Sequence, residues 1–206
     1  MSIKRRLVLT NSKTLGKVEP VIIDNQQVEI VSSFQYLGSI LDQKLTYKEN
    51  TDKIYKKAHQ RLFILRKLKS FNVSSHVLLS VYRCCIESVL TFNIVTWFGH
   101  ISVKDKVRLT KIVNICSRLV GTKLKDLGEL YTQALRRKSS SILNDQSHPL
   151  NNEFQYLPSG RRLLVPRARR NLFKKSFIPS AIAVLNMNMS QSVRKTSATA
   201  FSSRSF

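Results

Sequence analysis

Residues 31–72, VSSFQYLGSILDQKLTYKENTDKIYKKAHQRLFILRKLKSFN, pass from a strand pattern to a helix pattern around Gly38, and the rest of the chain is placed from them. Before Gly38 apolar residues alternate. Beyond it Thr46 and Glu49 stand at capping-box spacing: the hydroxyl takes a backbone N–H three residues on and the carboxylate reaches back, so a helix is expected to start near Tyr47. Ile54, Ala58, Leu62, Leu65 and Leu68 recur at three- and four-residue intervals and form one apolar stripe. Lys53, Lys57, Gln60 and Lys67 fall on another face, with Lys56 and Arg61 beside it. The helix therefore has one greasy side and one cationic side.

The chain has 206 residues, 42% of them hydrophobic, enough for one or two domains with a core. Lys and Arg number 35 against 12 Asp and Glu, a formal charge of +23. Such a chain repels itself unless a polyanion or salt compensates, and nucleic acid is the leading partner. An anionic membrane surface is a weaker one. Cys84, Cys85 and Cys116 lie within apolar helical patterns without paired spacing and read as reduced core thiols of an intracellular protein, not as a zinc site or a disulfide framework. No apolar run approaches 18 charge-free residues, so no membrane span is expected. Met1 to Val18 holds five basic residues and no acid, a faint likeness to a mitochondrial presequence.

Residues 21–23 and 28–31 flank Asp24-Asn25-Gln26-Gln27 and suggest a hairpin, since Asn tolerates the left-handed backbone of tight turns. Phe34, Tyr36 and Gly38 are placed on one face of an extended segment, where glycine permits a bend or a close backbone approach. After the first helix, Ser74 or Ser75 can cap a second, in which Val77, Leu78, Val81, Tyr82, Cys85, Ile86, Val89 and Leu90 repeat at helical spacing. Apolar over most of its surface, it is expected to be the central, most buried helix. Trp97-Phe98 reads as core before it reads as a base-stacking platform.

Ser102 and Asp105 open a third helix with Leu109, Ile112, Val113, Cys116, Leu119 and Val120 inside and Gly121 as its left-handed stop. Lys104, Arg108, Lys111 and Arg118 stack outside; this stripe either lies beside the first along a phosphate backbone or is a solvated face. A fourth helix is expected from Asp126 to about Leu143, with Arg136-Arg137-Lys138 near its end, where cations suit the helix dipole. Beyond Asn144 the chain reads as an irregular connection with a small hairpin at Pro158-Ser159-Gly160. Arg161 to Lys175 then holds Arg161, Arg162, Arg167, Arg169, Arg170, Lys174 and Lys175 and no acid. Guanidinium forks match phosphate, so this run is the foremost candidate for RNA or DNA contact, with a nuclear address read by a receptor as the alternative. Pro179 fits the first turn of a last helix, 180–186, and residues 190–206 read as a disordered tail.

Phe34-Gln35-Tyr36-Leu37-Gly38-Ser39-Ile40-Leu41-Asp42, then Leu45-Thr46, Arg61 to Leu68 and Ser70-Phe71-Asn72 resemble LINE-type, non-LTR retrotransposon reverse transcriptases just downstream of their catalytic palm. The likeness continues through Tyr82–Gly99, Ile112–Gly121 and Ser147–Pro166, and covers about residues 19–186. It implies that Phe34, Tyr36, Leu37 and Gly38 form a primer grip holding a primer 3′ end, that the following helices are a thumb, and that residues 1–18 are palm edge. The stretch Leu45 to Ser70 is also similar to the AlkB-homologue N-terminal domain of alkylated-nucleic-acid repair proteins.

Catalytic signatures are missing. Polymerases hold paired divalent cations on two aspartates, and the chain has no Asp-Asp pair; Asp24, Asp42, Asp52, Asp105, Asp126 and Asp145 are scattered singly. A ferrous dioxygenase site commonly begins with His-x-Asp, but two residues after His59, His76, His100 and His148 stand Arg61, Leu78, Ser102 and Leu150. No Gly-x-Gly loop exists for a nucleotide cofactor. The expected protein is thus α+β and mainly α: a β-hairpin, primer-grip-like element (1–45), a thumb-like helical bundle (46–144), an arginine-rich extension (145–189) and a tail (190–206). It is expected to be intracellular and nuclear. It would bind RNA or an RNA/DNA hybrid with little sequence preference, and without metal, cofactor or catalytic residue. The alternative is a protein-interaction module, whose partner would be a separately supplied palm.

Overall fold

The computed structural model describes residues 5–9, 20–23, 25–187 and 189. The presequence-like stretch lies largely outside the described residues, as does the tail 190–206. The fold is α+β and mainly helical, with short strand pairs first and helices after. The chain divides into two compact units: Met1–Asn93 with His100–Leu124, and Ile94–Gly99 with Lys125–Phe206.

In the first unit β1 (Arg5–Leu7) pairs in parallel with β4 (Glu29–Val31). β2 (Ile22–Ile23) and β3 (Gln26–Gln27) pair antiparallel. The expected hairpin is therefore tighter than the sequence suggests, with Ile23 opposite Gln26 and Asn25 left-handed at φ 56°. Residues 29–31 go to a different partner. β5 (Ser33–Tyr36) and β6 (Ser39–Asp42) form a second hairpin in which Tyr36 faces Ser39. Gly38 is consequently not on a strand face with Phe34 and Tyr36. It is the second turn residue, at φ 85° after Leu37 at φ 44°, the double positive φ that matches the twist of the flanking strands.

Helix α1 (Lys48–Ser70) starts near Tyr47 as expected, but the capping box does not form. Its N-cap is Tyr47, at φ 56° and with no side-chain cap. Asp42 supplies what the box would have: Oδ1 accepts from the backbone N–H of Lys44 (3.1 Å) and Thr46 (3.0 Å). Oδ2 accepts from Tyr47 N–H (2.7 Å) and the Thr46 hydroxyl (3.2 Å). Those bonds hold Leu45 and Tyr47 in a left-handed backbone that costs each on the order of 1 kcal/mol.

The expected stripe is buried at Ile54, Ala58, Leu62 and Leu65, with Leu68 half-buried. α1 packs on β6, on the helix that follows and on α5 (Val103–Val120), so α1 is the hub of this unit. The second helix, expected in that role, is one-sided. It runs as α2 (Ser75–Val81), a π turn (Tyr82–Glu87) and α3 (Ser88–Thr91). Leu78, Tyr82, Ile86 and Leu90 are fully buried, whereas Val77 is exposed and Val81, Cys85 and Val89 are half-buried. By length and composition the stretch Ser75–Trp97 is apolar enough to cross a bilayer, with 28% of its most apolar window buried in the fold, but it is not charge-free, since it carries Arg83 and Glu87. The chain turns within it at Asn93, φ 48°.

α5 follows the sequence reading closely. Ser102 Oγ accepts from Asp105 N–H (3.1 Å) and donates to its carboxylate (2.6 Å), and Gly121 ends the helix at φ 80°. Leu109, Ile112, Val113, Cys116 and Val120 are its buried face. The cysteines differ from one another: Cys116 is core, Cys85 half-buried, and Cys84 exposed, not a core thiol.

In the second unit α4 (Ile94–Trp97) and Phe98 bury both aromatics, as the core reading expects. α6 (Leu127–Asn144) is capped by Asp126, which accepts from Glu129 N–H (2.8 Å). The helix runs past Arg136-Arg137-Lys138, which therefore sit mid-helix and not near its end. The hairpin at Pro158 forms, with Gly160 N–H on Leu157 C=O (2.8 Å). α7 (Asn171–Lys174) precedes α8 (Phe177–Met187), which starts earlier than expected and keeps Pro179 in its first turn. Leu135, Ile142, Phe154, Leu163, Ala181, Ile182 and Leu185 form this unit's core.

Asp42→Ala removes the anchor of the β6–α1 turn and should lower unfolding free energy by about 1–2 kcal/mol in urea titrations, more than Thr46→Ala does. Burial pushes the Cys116 thiol up to about 12 from an ordinary value of 9.0, against the opposing pull of Arg66. A thiol that keeps its proton longer in the fold than in the unfolded chain makes stability fall as pH rises from about 9 toward 12. Maleimide at neutral pH should accordingly modify Cys84 in the native protein and reach Cys116 only after denaturation, as mapped by mass spectrometry.

Candidate nucleic-acid interface

The cations singled out by sequence separate into those engaged by the fold and those standing in solvent. On α1, Lys53 is half-buried and its ammonium donates to Gln35 Oε1 on β5 (2.8 Å). Arg61 is also half-buried, and its guanidinium donates to the Cys85 carbonyl within the π turn. A π turn bonds five residues apart and disturbs the regular carbonyl ladder, so a long donor from the neighbouring helix completes it. Arg61 is therefore a structural bond of the first unit and not an outward phosphate contact. Lys67 is exposed, its ammonium 5.1 Å from the Phe71 ring centre. Lys56 and Lys57 are exposed.

On α5, Lys104, Lys111 and Arg118 are exposed. Arg108 is different. Its guanidinium pairs with Asp52 of α1 and lies 3.7 Å from the Tyr55 ring centre, closing the seam between the two helices. The second cationic stripe thus abuts the first through one neutralised member, Arg108.

In the second unit the entire run survives as a surface. Arg161, Arg162, Arg167, Arg169, Arg170, Lys174 and Lys175 are all exposed. The hairpin at Pro158 delivers Arg161 and Arg162, and α7 carries Lys174. Leu163 is pinned beneath by Asn186, whose Oδ1 accepts from Leu163 N–H (2.8 Å) and whose Nδ2 donates to Leu163 C=O (3.0 Å). The two arginines at 161 and 162 therefore extend from a fixed backbone.

Phe34, Tyr36 and Leu37, the primer-grip-like residues, are solvent-facing on the β5–β6 hairpin. Gly38 meets the Phe92 ring so closely that a Cβ there would stand 2.8 Å from Phe92 Cε1. Behind the turn opens a cleft of about 250 Å³ between α1 and α3, lined by Lys53, Lys57 and Phe92 among others. Asn50, which nothing in the sequence reading singled out, also lines it: Oδ1 accepts from Ile40 N–H (3.0 Å) and the residue is 3% exposed. Its place one turn before Lys53 and Ile54 was the available signal. Among the described residues no group of three or more His, Cys, Asp or Glu is arranged to hold a metal ion.

Arg61→Gln should cost about 1–2 kcal/mol of stability by removing the bond that ties α1 to the Cys85 carbonyl. Asp52 and Arg108, both substantially exposed, should couple by only about 0.2–1 kcal/mol in a double-mutant cycle. Lys56→Gln, far from any such bond, should stay within about 0.5 kcal/mol of the parent. Thermal and urea unfolding of the set checks all three.

A family model described as the N-terminal domain of the alkylated DNA repair protein alkB homolog 8 matches residues 47–88, from the N-cap of α1 through the π turn to the first residue of α3. The matched stretch is less than half of the chain. No curated protein and no solved structure matches.

Proposed function

We propose that the chain binds nucleic acid through its phosphates, as the thumb and C-terminal extension of a LINE-type reverse transcriptase do, holding template-primer or structured RNA without a catalytic site of its own. The observation that carries this reading is the run from Arg161 to Lys175, seven cations exposed together with no acid among them. Such a surface neutralises phosphates and releases counterions, which gives affinity that is steep in salt and nearly blind to sequence. The exposed Phe34, Tyr36 and Leu37 add ring and apolar surface of the kind that bases stack on. The lack of an Asp-Asp pair and of any His-x-Asp motif supports binding without polymerase or dioxygenase chemistry. On this reading the protein works in the nucleus beside a catalytic palm.

A second reading, a helical module that docks another protein, draws on Phe63, Ile64 and Phe71, large apolar side chains exposed along the latter half of α1 and at its C-cap. The match to the alkB homolog 8 N-terminal description falls on the same helices and suits either reading, since it names a domain and no reacting group.

Replacing Arg161, Arg162, Arg167, Arg169 and Arg170 together with Gln should weaken duplex and hybrid binding about ten-fold or more near 0.1 M salt. Every phosphate that the variant leaves unneutralised should reduce the slope of log affinity against log salt by about 0.7–0.9. Filter binding across salt reads both quantities. Unchanged affinity and slope would remove this surface from the interface, and co-purification with a protein after nuclease treatment would favour docking.

A further inference from the structure

We propose that the cleft between α1, α3 and the Leu37–Gly38 turn is a subsite for a single nucleotide, a planar base bearing a phosphate. The inference deepens the nucleic-acid reading, because a single-stranded segment held by the protein is one source of such a nucleotide.

Three features of the cleft converge. The first is an unused donor. Asn50 spends its oxygen on Ile40 N–H, while its Nδ2 is buried and has no hydrogen-bond partner among the described residues. Buried donors are nearly always paired in folded proteins, so an unpaired one on a residue that lines an open cleft marks a place where a small turn of the side chain would meet an entering acceptor. The second is an apolar wall. Ile54, Val89 and Phe92 line the same space, and an aromatic with aliphatic neighbours suits the face of a heterocycle. Gly38 allows the Phe92 ring to lie against the turn, since a Cβ would collide with it at 2.8 Å.

The third feature is positive charge at helical spacing from the donor. Asn50, Lys53, Ile54 and Lys57 follow one another at i, i+3, i+4 and i+7, which puts them along one side of α1. The Lys53 ammonium has three protons and gives one to Gln35, so it retains donors for an oxyanion. A ligand that answers all three is flat, offers a carbonyl or ring-nitrogen acceptor at one end and carries negative charge at the other. A nucleotide does so, and at about 250 Å³ the cleft takes one base, not a base pair.

The test uses the whole chain with adenosine and uridine 5′-monophosphates, a single-stranded oligonucleotide, and a blunt duplex. Mononucleotide should shift the NMR signals of the Asn50 side-chain amide and weaken about ten-fold or more in two variants. Asn50→Asp keeps an acceptor for Ile40 N–H while removing the donor, and Val89→Trp fills the cleft from α3, so one still decides the matter if the other fails to fold. Single-strand affinity falling in parallel, with duplex affinity kept, identifies a nucleotide unstacked from a strand. Single-strand affinity unmoved, with mononucleotide binding abolished, identifies a free nucleotide as the ligand, and still supports the subsite. Amide signals that stay put to about 10 mM mononucleotide, with neither variant altering single-strand binding, overturn the proposal and leave a water as the partner of Nδ2. Failure of the parent chain to bind any polynucleotide sinks the broader nucleic-acid reading instead, while the mononucleotide arm still judges the cleft.

Discussion

Leu78, Tyr82, Ile86 and Leu90 are spaced four residues apart and all fully buried, and that row is the constraint on which the first unit depends. In a straight α-helix each step of four advances about 40° around the axis, so such a row winds away from its partner within three steps. The π turn at Tyr82–Glu87, with more residues per turn, holds the row on one side. The cost is a disturbed carbonyl ladder, and Arg61 reaches from α1 to Cys85 C=O to complete it. Helix α1 thereby becomes the hub, tied to the π turn by a cation and to β6 by Asn50. Desolvation also pushes the Tyr82 phenol upward, with the charge of Glu87 adding to it, as expected of a hydroxyl drawn into a core by the ring that carries it.

Five of the aspartates are engaged by the fold. Asp42 gathers the backbone ahead of α1, Asp52 neutralises Arg108, and Asp105 and Asp126 open α5 and α6. Asp145 binds the Ser147 hydroxyl and backbone N–H, bonds that hold its own acid strength above that of an ordinary aspartate. With every acid counted against a cation, the chain still carries a surplus of +23. Self-repulsion of that size is relieved by a polyanion, and Arg161–Lys175 is where the surplus is densest.

The cations differ in kind as well as in number. Lys53, Arg61 and Arg108 each hold two elements of the first unit together, and of the three only Arg108 has its charge offset, by the Asp52 carboxylate. Arg161 and Arg162 of the second unit stand on backbone fixed by Asn186 and by the Pro158 hairpin, and they are exposed, as are Arg167, Arg169 and Arg170. A guanidinium already paired with a carboxylate contributes little to counterion release, so Arg108 is not interchangeable with the exposed arginines in salt-dependent binding.

What the sequence by itself determined is whatever depends on neighbours within a turn or two. The stripe of α1, the Ser102–Asp105 cap and Gly121 stop of α5, and the Asp126 start of α6 were legible because caps and helical periods are local. So were the hairpin at Pro158 and the acid-free run that follows it. What only the tertiary structure decided depends on which groups meet across long separations: Asp42 in place of the Thr46 capping box, the π phase shift that makes α1 and not α2–α3 the hub, the capture of Arg61 and Arg108, and the cleft where Asn50 keeps an unpaired donor. A residue type states what bonds a side chain is able to make. Packing chooses among them, because burial penalises every polar group left unpaired and so assigns each carbonyl, carboxylate and cation the partner that the fold brings within reach.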